Sequence, residues 1–267
     1  MGIKFFKKNI LDLTNLSPAF TITDSVATDT GEDFTDLMRN RNNSSGWATT
    51  GSSDAGTTTM IVDFIETKSF DAIILIGHNF KNFTLKYWDG AAYQNFSTAI
   101  AETTNSATTT YHTFTSVSSN KLQLIINGTT TADSDKFLKQ FIVTEILGTF
   151  SVEPEVKPEF DKDRKATKFL SGKQFVAKSV GGFTCQIRMK SVNDNTDLTL
   201  VETLFNSYEG FLVWICGGTT SQFETVRHGY RLEDIFFMDL ANEYKPEFVE
   251  SRWYMGLPIE LKLVEVS

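Results

Sequence analysis

The strongest constraint on this chain is a two-residue rhythm. Phe83, Leu85 and Tyr87 alternate with polar neighbours in FTLKYW, and Leu122, Leu124 and Ile126 do the same in KLQLIIN. Phe183, Cys185, Ile187 and Met189 alternate strictly with Thr184, Gln186, Arg188 and Lys190, and LPIELKLVEV puts Ile259, Leu261 and Leu263 on one face. Successive strand side chains point to opposite faces, so each stretch predicts a half-buried strand. Phe is common at 23 and Pro scarce at 5, a balance that suits pleated sheet.

Residues 1–150 are rich in Thr, Ser and Asn and carry strand signals at 60–64, 72–76, 82–88, 121–127 and 139–146. A short helix-like piece lies near Phe34 to Arg39. Residues 151–165, SVEPEVKPEFDKDRK, hold two of the five prolines and both charge signs, the composition of a stiff solvated connector. Residues 166–267 resume with strands around one helix, NTDLTLVETLFNSYEG. It places Leu198, Val201, Leu204, Phe205 and Tyr208 on one stripe, with Asn195 or Thr196 as cap and Gly210 as stop. GYRLEDIFFMDL, residues 229–240, reads as an edge-like strand. The expected fold is mainly β: an antiparallel, jelly-roll-like sandwich over 1–150, a connector over 151–165, and a smaller β-rich α+β domain over 166–267.

Charge narrows the partners. The chain has 33 acidic and 25 basic residues, net -8. Residues up to 150 hold 15 and 11 of these and the rest hold 18 and 14, so each half is at -4. Neither half offers the basic stripe that nucleic acid phosphates need, so nucleic acid is not an expected partner. No apolar run reaches spanning length and MGIKFFKKNILDLTNL lacks a signal peptide's apolar core, so neither membrane insertion nor secretion is expected. Met1-Gly2 meets Phe6 where a myristoylation motif has Ser or Thr. Cys185 and Cys216 fit no disulfide framework or zinc motif and read as reduced, buried thiols. The triplets that begin at Asn82, Asn95 and Asn127 match a glycosylation pattern by chance in so Ser/Thr-rich a chain.

IILIGHNF, residues 73–80, interrupts an apolar run with Gly-His-Asn. Gly77 tolerates a positive φ, Asn79 can turn back on its own backbone, and His78 can satisfy loop carbonyls from a partly buried position. That makes the triplet a corner first and a ligand contact second. Trp47 follows the turn-rich NRNNSSGWATTGS; next come MIVDF, FDAIILIGHNF, FTLKYWDGAAYQNF, a Thr-rich strand to Tyr111 and Phe114, then KLQLIIN and KQFIVTEILGTF. In this order the segments resemble the discoidin-like, galactose-binding-like β-sandwich, over about residues 40–150. The Gly-His-Asn turn looks like versions of that module in bacteriophage virion proteins. The resemblance implies contacts from loops at one end, with Trp47, Trp88 and Tyr93 stacking on sugar and Asp89, Asn95, His78 and Asn79 in support. A core role for Trp47 and Trp88 is the competing reading. Asp133 and Asp135 read as a solvated turn before a Ca²⁺ site.

LVETLFNSYEGFLVWICGG, a strand after Tyr230, and LPIELKLVEV resemble a domain of tailed-phage minor tail proteins, over about residues 180–267. Phe211, Trp214, Phe236, Phe237 and Trp253 are expected in a core, while Tyr244 and Trp253 are candidates for an oligomer interface. No Walker loop, Gly-x-Ser-x-Gly, His-x-x-x-His or dinucleotide fingerprint occurs, and nothing singles out a carboxylate pair for glycoside cleavage. No enzyme, catalytic residue, cofactor or metal is expected. The expected function is a structural virion protein of a tailed bacteriophage, at the tail tip, baseplate or neck, assembled in the host cytoplasm. Its partners would be neighbouring tail proteins, copies of itself in a three-fold or six-fold ring, and host surface carbohydrate. The alternative is a free carbohydrate-binding protein, with a polysaccharide-degrading enzyme behind it.

Overall fold

The alternating segments do form strands, but two of them are far longer than the sequence suggests. The structure is a computed structural model that describes residues 3–13, 18–25, 32–40, 45–49, 56–150, 155–160, 164–168, 174–178, 183–192, 195–206, 210–214, 235–241 and 257–265. It is mainly β, and every strand pairing resolved residue by residue is antiparallel. The chain divides into two units. One comprises residues 6–146 with 216–234, the other residues 1–5, 147–215 and 235–267.

In the first unit the elements are β2 (Ala19–Asp24), a 3-10 helix (Glu32–Met38), β3 (Trp47–Ala48), β4 (Thr58–His78), β5 (Phe80–Trp88), β6 (Tyr93–Gln94), β7 (Ile100–Glu102), β8 (Thr110–Thr129) and β9 (Phe137–Thr144). The first half of β4 pairs with β2 and with the second half of β8, which carries β5 on its other side. The second half of β4 lies between the first half of β8 and β9. Segments 60–64 and 72–76 are thus one strand, bent where the register with β8 shifts between Asp63 and Lys68. Ile65 takes φ +67° at this bend, a left-handed conformation that is an outlier for a β-branched residue. The Asp63 carboxylate steadies it, Oδ1 accepting from the Ile65 N–H at 2.9 Å.

Alternation then builds the core. Met60, Val62, Leu85, Leu122, Leu124 and Ile126 from one leaf meet Ile73, Leu75, Leu138, Phe141 and Val143 from the other in one cluster of buried side chains. Phe70, Phe96 and Phe114 pack edge-on or tilted at 4.0–6.3 Å between centroids, forming one aromatic knot in that core.

The second unit holds a seven-stranded sheet, in the order β10 (Ile146–Thr149), β1 (Lys4–Phe6), β15 (Phe211–Trp214), β16 (Ile235–Leu240), β17 (Leu257–Glu265), β14 (Phe183–Val192), β11 (Glu155–Phe160). A separate two-stranded ribbon joins β12 (Arg164–Lys168) to β13 (Gln174–Lys178). The helix α1 (Asn195–Phe205) buries Asp197, Leu200, Val201 and Leu204, so its inward stripe is turned from the expected one; Leu198 and Phe205 are half-buried. Phe211, Trp214 and Phe237 are buried. Gly210 takes φ +72°, where a Cβ would meet the Met238 carbonyl oxygen at 2.9 Å.

Two expectations change. Residues 155–160 of the expected connector form β11, pairing with β14 from Glu155 opposite Arg188 to Phe160 opposite Phe183. Pro158 suits this place because β11 ends the sheet, and an edge strand tolerates a missing N–H. The strand at 235–240 is interior, between β15 and β17, with Phe237 and Met238 buried.

Candidate functional site

Gly-His-Asn does make the corner from β4 to β5, and burial decides what it can do. Gly77 takes φ +62°. His78 is fully buried, stacked on Phe80 at 4.9 Å and edge-on to Phe83 at 5.6 Å. Its Nδ1 accepts from the Phe80 N–H at 3.1 Å, so the ring proton sits on Nε2, which donates to Thr110 Oγ1 at 3.2 Å. Burial pushes its pKa down to about 4, with His112 adding to the shift, so the ring is neutral at neutral pH. Asn79 reaches across to the turn before β9 instead of back to its own backbone: Nδ2 donates to the Asp135 carbonyl at 2.8 Å and Oδ1 accepts from the Phe137 N–H at 3.0 Å. Both groups spend their polar atoms on partners within the fold.

Trp47 likewise leaves the candidate set. It is fully buried in the core cluster, opposite Leu138 in β9, where its indole is worth most as packing. Asp133 and Asp135 are exposed in the 130–136 turn, and no group of three or more His, Cys, Asp or Glu that could hold a metal occurs among the described residues. Tyr244 and Trp253 lie outside the described residues.

The remaining candidates do come together. Trp88 ends β5 and faces Tyr93 at the start of β6, their rings 5.0 Å apart and 65° inclined, both half-buried. The turn between them is built by Asp89, whose Oδ1 accepts from the Ala91 and Ala92 N–H groups at 2.8 Å each and whose Oδ2 accepts from Gln94 Nε2 at 2.8 Å. Those bonds hold the Asp89 carboxyl below its usual range. Gly90 supplies φ +104° in the same turn. Asp89 therefore positions the aromatic pair. Asn95 follows β6 and is exposed.

Residues the sequence reading left out complete the site. Ser119, buried where β8 bends, accepts from the Trp88 N–H at 3.2 Å and the Lys121 N–H at 3.1 Å, and its hydroxyl lies 2.7 Å from the Trp88 carbonyl oxygen. Lys121 Nζ pairs with Asp63 Oδ2 at 3.2 Å, each side chain 37% exposed, which leaves both open to a ligand. Burial raises the Tyr93 phenol; Lys121 lowers it and Asp63 raises it again, so all three share one electrostatic neighbourhood. Register extends the same face: Gln123 lies opposite both Ile61 and Lys86, and all three are half-buried. Alternation alone assigns Lys121 and Gln123 to the side away from the core, while their meeting with Trp88 and Tyr93 depends on long-range pairing. Such a surface offers aromatic rings to an apolar face and a cation, a carboxylate and amides to hydroxyl groups.

No protein-family description matches the chain, and no curated protein matches it. Among solved structures it is similar to chitosan-binding module 1 of a chitosanase/glucanase from Paenibacillus sp. IK-5, at 16% identity and a TM-score of 0.39, covering 51% of this chain and 98% of that one. The family 32 carbohydrate-binding module of Streptococcus pneumoniae EndoD gives 15% identity and a TM-score of 0.39, over 52% and 99%. A Ruminococcus gnavus fucosidase in complex with fucose gives 14% identity and a TM-score of 0.38, over 52% of this chain and 27% of that enzyme. Likenesses at this level carry neither a family nor a ligand over to this chain.

Proposed function

We propose that the 6–146 unit is a carbohydrate-binding β-sandwich of the discoidin-like kind, and that a sugar ring lies over Trp88 and Tyr93. The observation that carries the reading is this half-exposed aromatic pair, held by Asp89 and Ser119 and flanked by the open Asp63–Lys121 ion pair. Stacking supplies affinity, and the charged and amide groups select hydroxyl positions. Nothing in this reading requires turnover, so the module is read as non-catalytic.

Titration of the full chain with chitin, galactan and mixed-glycan oligosaccharides in a calorimeter is the test. Binding that falls about tenfold or more in Trp88→Ala and in Tyr93→Ala supports the site, since a buried aromatic contact is worth about 1–3 kcal/mol. Unchanged binding in both variants removes it. A place on a phage tail is compatible with an adhesive sandwich. That placement rests on the sequence resemblances of the Gly-His-Asn turn and of residues 180–267, and counting copies of the chain in gradient-purified particles tests it separately.

A further inference from the structure

The bend in β4 holds more chain than the turn of direction requires. Asp63 lies opposite Lys121 and Lys68 opposite Ser119, so four residues of β4, 64–67, stand against the single residue Asn120 of β8. Extra residues on one strand break the ladder and bend that strand. The excursion is pinned at three points. Phe64 is buried edge-on to Phe70 in the core, Asp63 Oδ1 accepts from the Ile65 N–H, and Glu66 pairs with Lys68 at 2.8 Å. Ile65 is left 65% exposed at φ +67°, whereas Leu13 and Phe137, the other exposed large apolar side chains among the described residues, stand at 39% and 38%. An apolar tip in water and a left-handed β-branched residue both cost stability, and strain of this kind gathers at ligand sites.

The place of Ile65 gives that cost a use. One carboxylate joins it to the aromatic face: Asp63 Oδ1 holds the Ile65 N–H and Asp63 Oδ2 holds Lys121 Nζ. The far end of the excursion meets Ser119, whose hydroxyl bonds both the N–H and the carbonyl of Trp88. Building on the sugar-binding reading, on which this depends, we propose that Ile65 is a specificity-determining contact of the Trp88–Tyr93 face, and that it takes a methyl group carried on the sugar as an acetamido or a 6-deoxy substituent. A ring stacked on the aromatic pair presents its edge substituents to the groups around it. Lys121 and Asp63 suit hydroxyl groups, and Ile65 suits an apolar one. A methyl group set against Ile65 leaves water, while a hydroxyl group set there loses hydration and gains no bond.

Calorimetric titration of the full chain with two matched pairs of sugars tests it. One pair sets an N-acetylglucosamine oligosaccharide against the glucose oligosaccharide of the same length and linkage. The other sets a fucosyl oligosaccharide against its L-galactosyl counterpart, which regains the 6-hydroxyl. In at least one pair the methyl-bearing member is expected to bind about fourfold tighter, the worth of one buried methyl group. A preference in the first pair alone assigns the acetamido group, and in the second alone the 6-deoxy group. Ile65→Asn keeps the left-handed backbone accessible and removes the apolar tip, so it is expected to bring that ratio to about one. Ile65→Leu is expected to keep it, and both variants should bind the plain member as the parent does. No preference in either pair, or a preference that Ile65→Asn retains, overturns the proposal. If Trp88→Ala still abolishes binding in that case, the sugar site itself stands. A chain that binds none of the four sugars overturns both.

Discussion

At the scale of single residues, burial separates groups that look alike in the sequence. His78 and His112 both have pKa values pushed down to about 4, by desolvation first and, for His78, by His112 as well. Above about pH 7.5 they are neutral in both the folded and unfolded chain and add no pH dependence. Between about pH 7.5 and about pH 4 the unfolded chain takes up protons that the folded chain refuses, so stability falls as the pH drops. For His78 alone the loss is on the order of 3 kcal/mol. Urea unfolding midpoints should therefore fall steadily from about pH 7 to about pH 4.5; midpoints that hold level or rise contradict it. Ile65 carries a second expectation. It is 65% exposed with φ +67°, so Ile65→Gly relieves a left-handed strain of about 1–2 kcal/mol against roughly 0.5–1 kcal/mol of added chain entropy. A small gain in melting temperature is expected, and a loss would mean that Ile65 packs better than its exposure indicates. Gly77's positive φ and the corner at 77–79 were legible in IGHN. The core role read for Trp47 holds, whereas the full burial of His78 was not legible, because it depends on Thr110, a residue distant in sequence.

At the scale of elements, the sequence reading failed where a polar break did not end a strand. Glu66, Thr67 and Lys68 have the look of a break between the two short strands expected at 60–64 and 72–76. β4 instead runs through it, because the register shift and the Asp63–Ile65 bond absorb the extra residues as a bend. The partner strand bends at Ser119, the same residue that holds the Trp88 backbone. Ser119→Ala removes a buried hydroxyl that both donates and accepts, leaving the Trp88 and Lys121 N–H groups without that acceptor. The expected cost is about 1–3 kcal/mol in denaturant unfolding. Because Trp88 sits at the strand end it secures, sugar affinity should fall along with stability. A variant that loses neither shows that the bend does not position the site. The connector at 155–160 was misread for a similar reason: its proline and charges suit an edge strand as well as a linker, and only the pairing with β14 distinguishes them.

At the scale of the whole chain, mainly β architecture was legible from alternation, because period-two patterning survives any arrangement of the strands. The place of β1 (Lys4–Phe6) in the seven-stranded sheet was not, since KFF carries no signal of partners that lie so far along the chain. The proposed binding face was half legible. Trp88, Tyr93 and Asp89 lie close together in WDGAAY, whereas Lys121 and Asp63 join them only through β8 and β4. The central claim is that these residues form a sugar-binding surface, and calorimetric titration of the full chain with a panel of oligosaccharides tests it most directly. The account predicts saturable binding to at least one of them, lost in Trp88→Ala and Tyr93→Ala with the melting temperature retained. Binding that both variants keep would contradict it, and so would a chain that binds none of the panel.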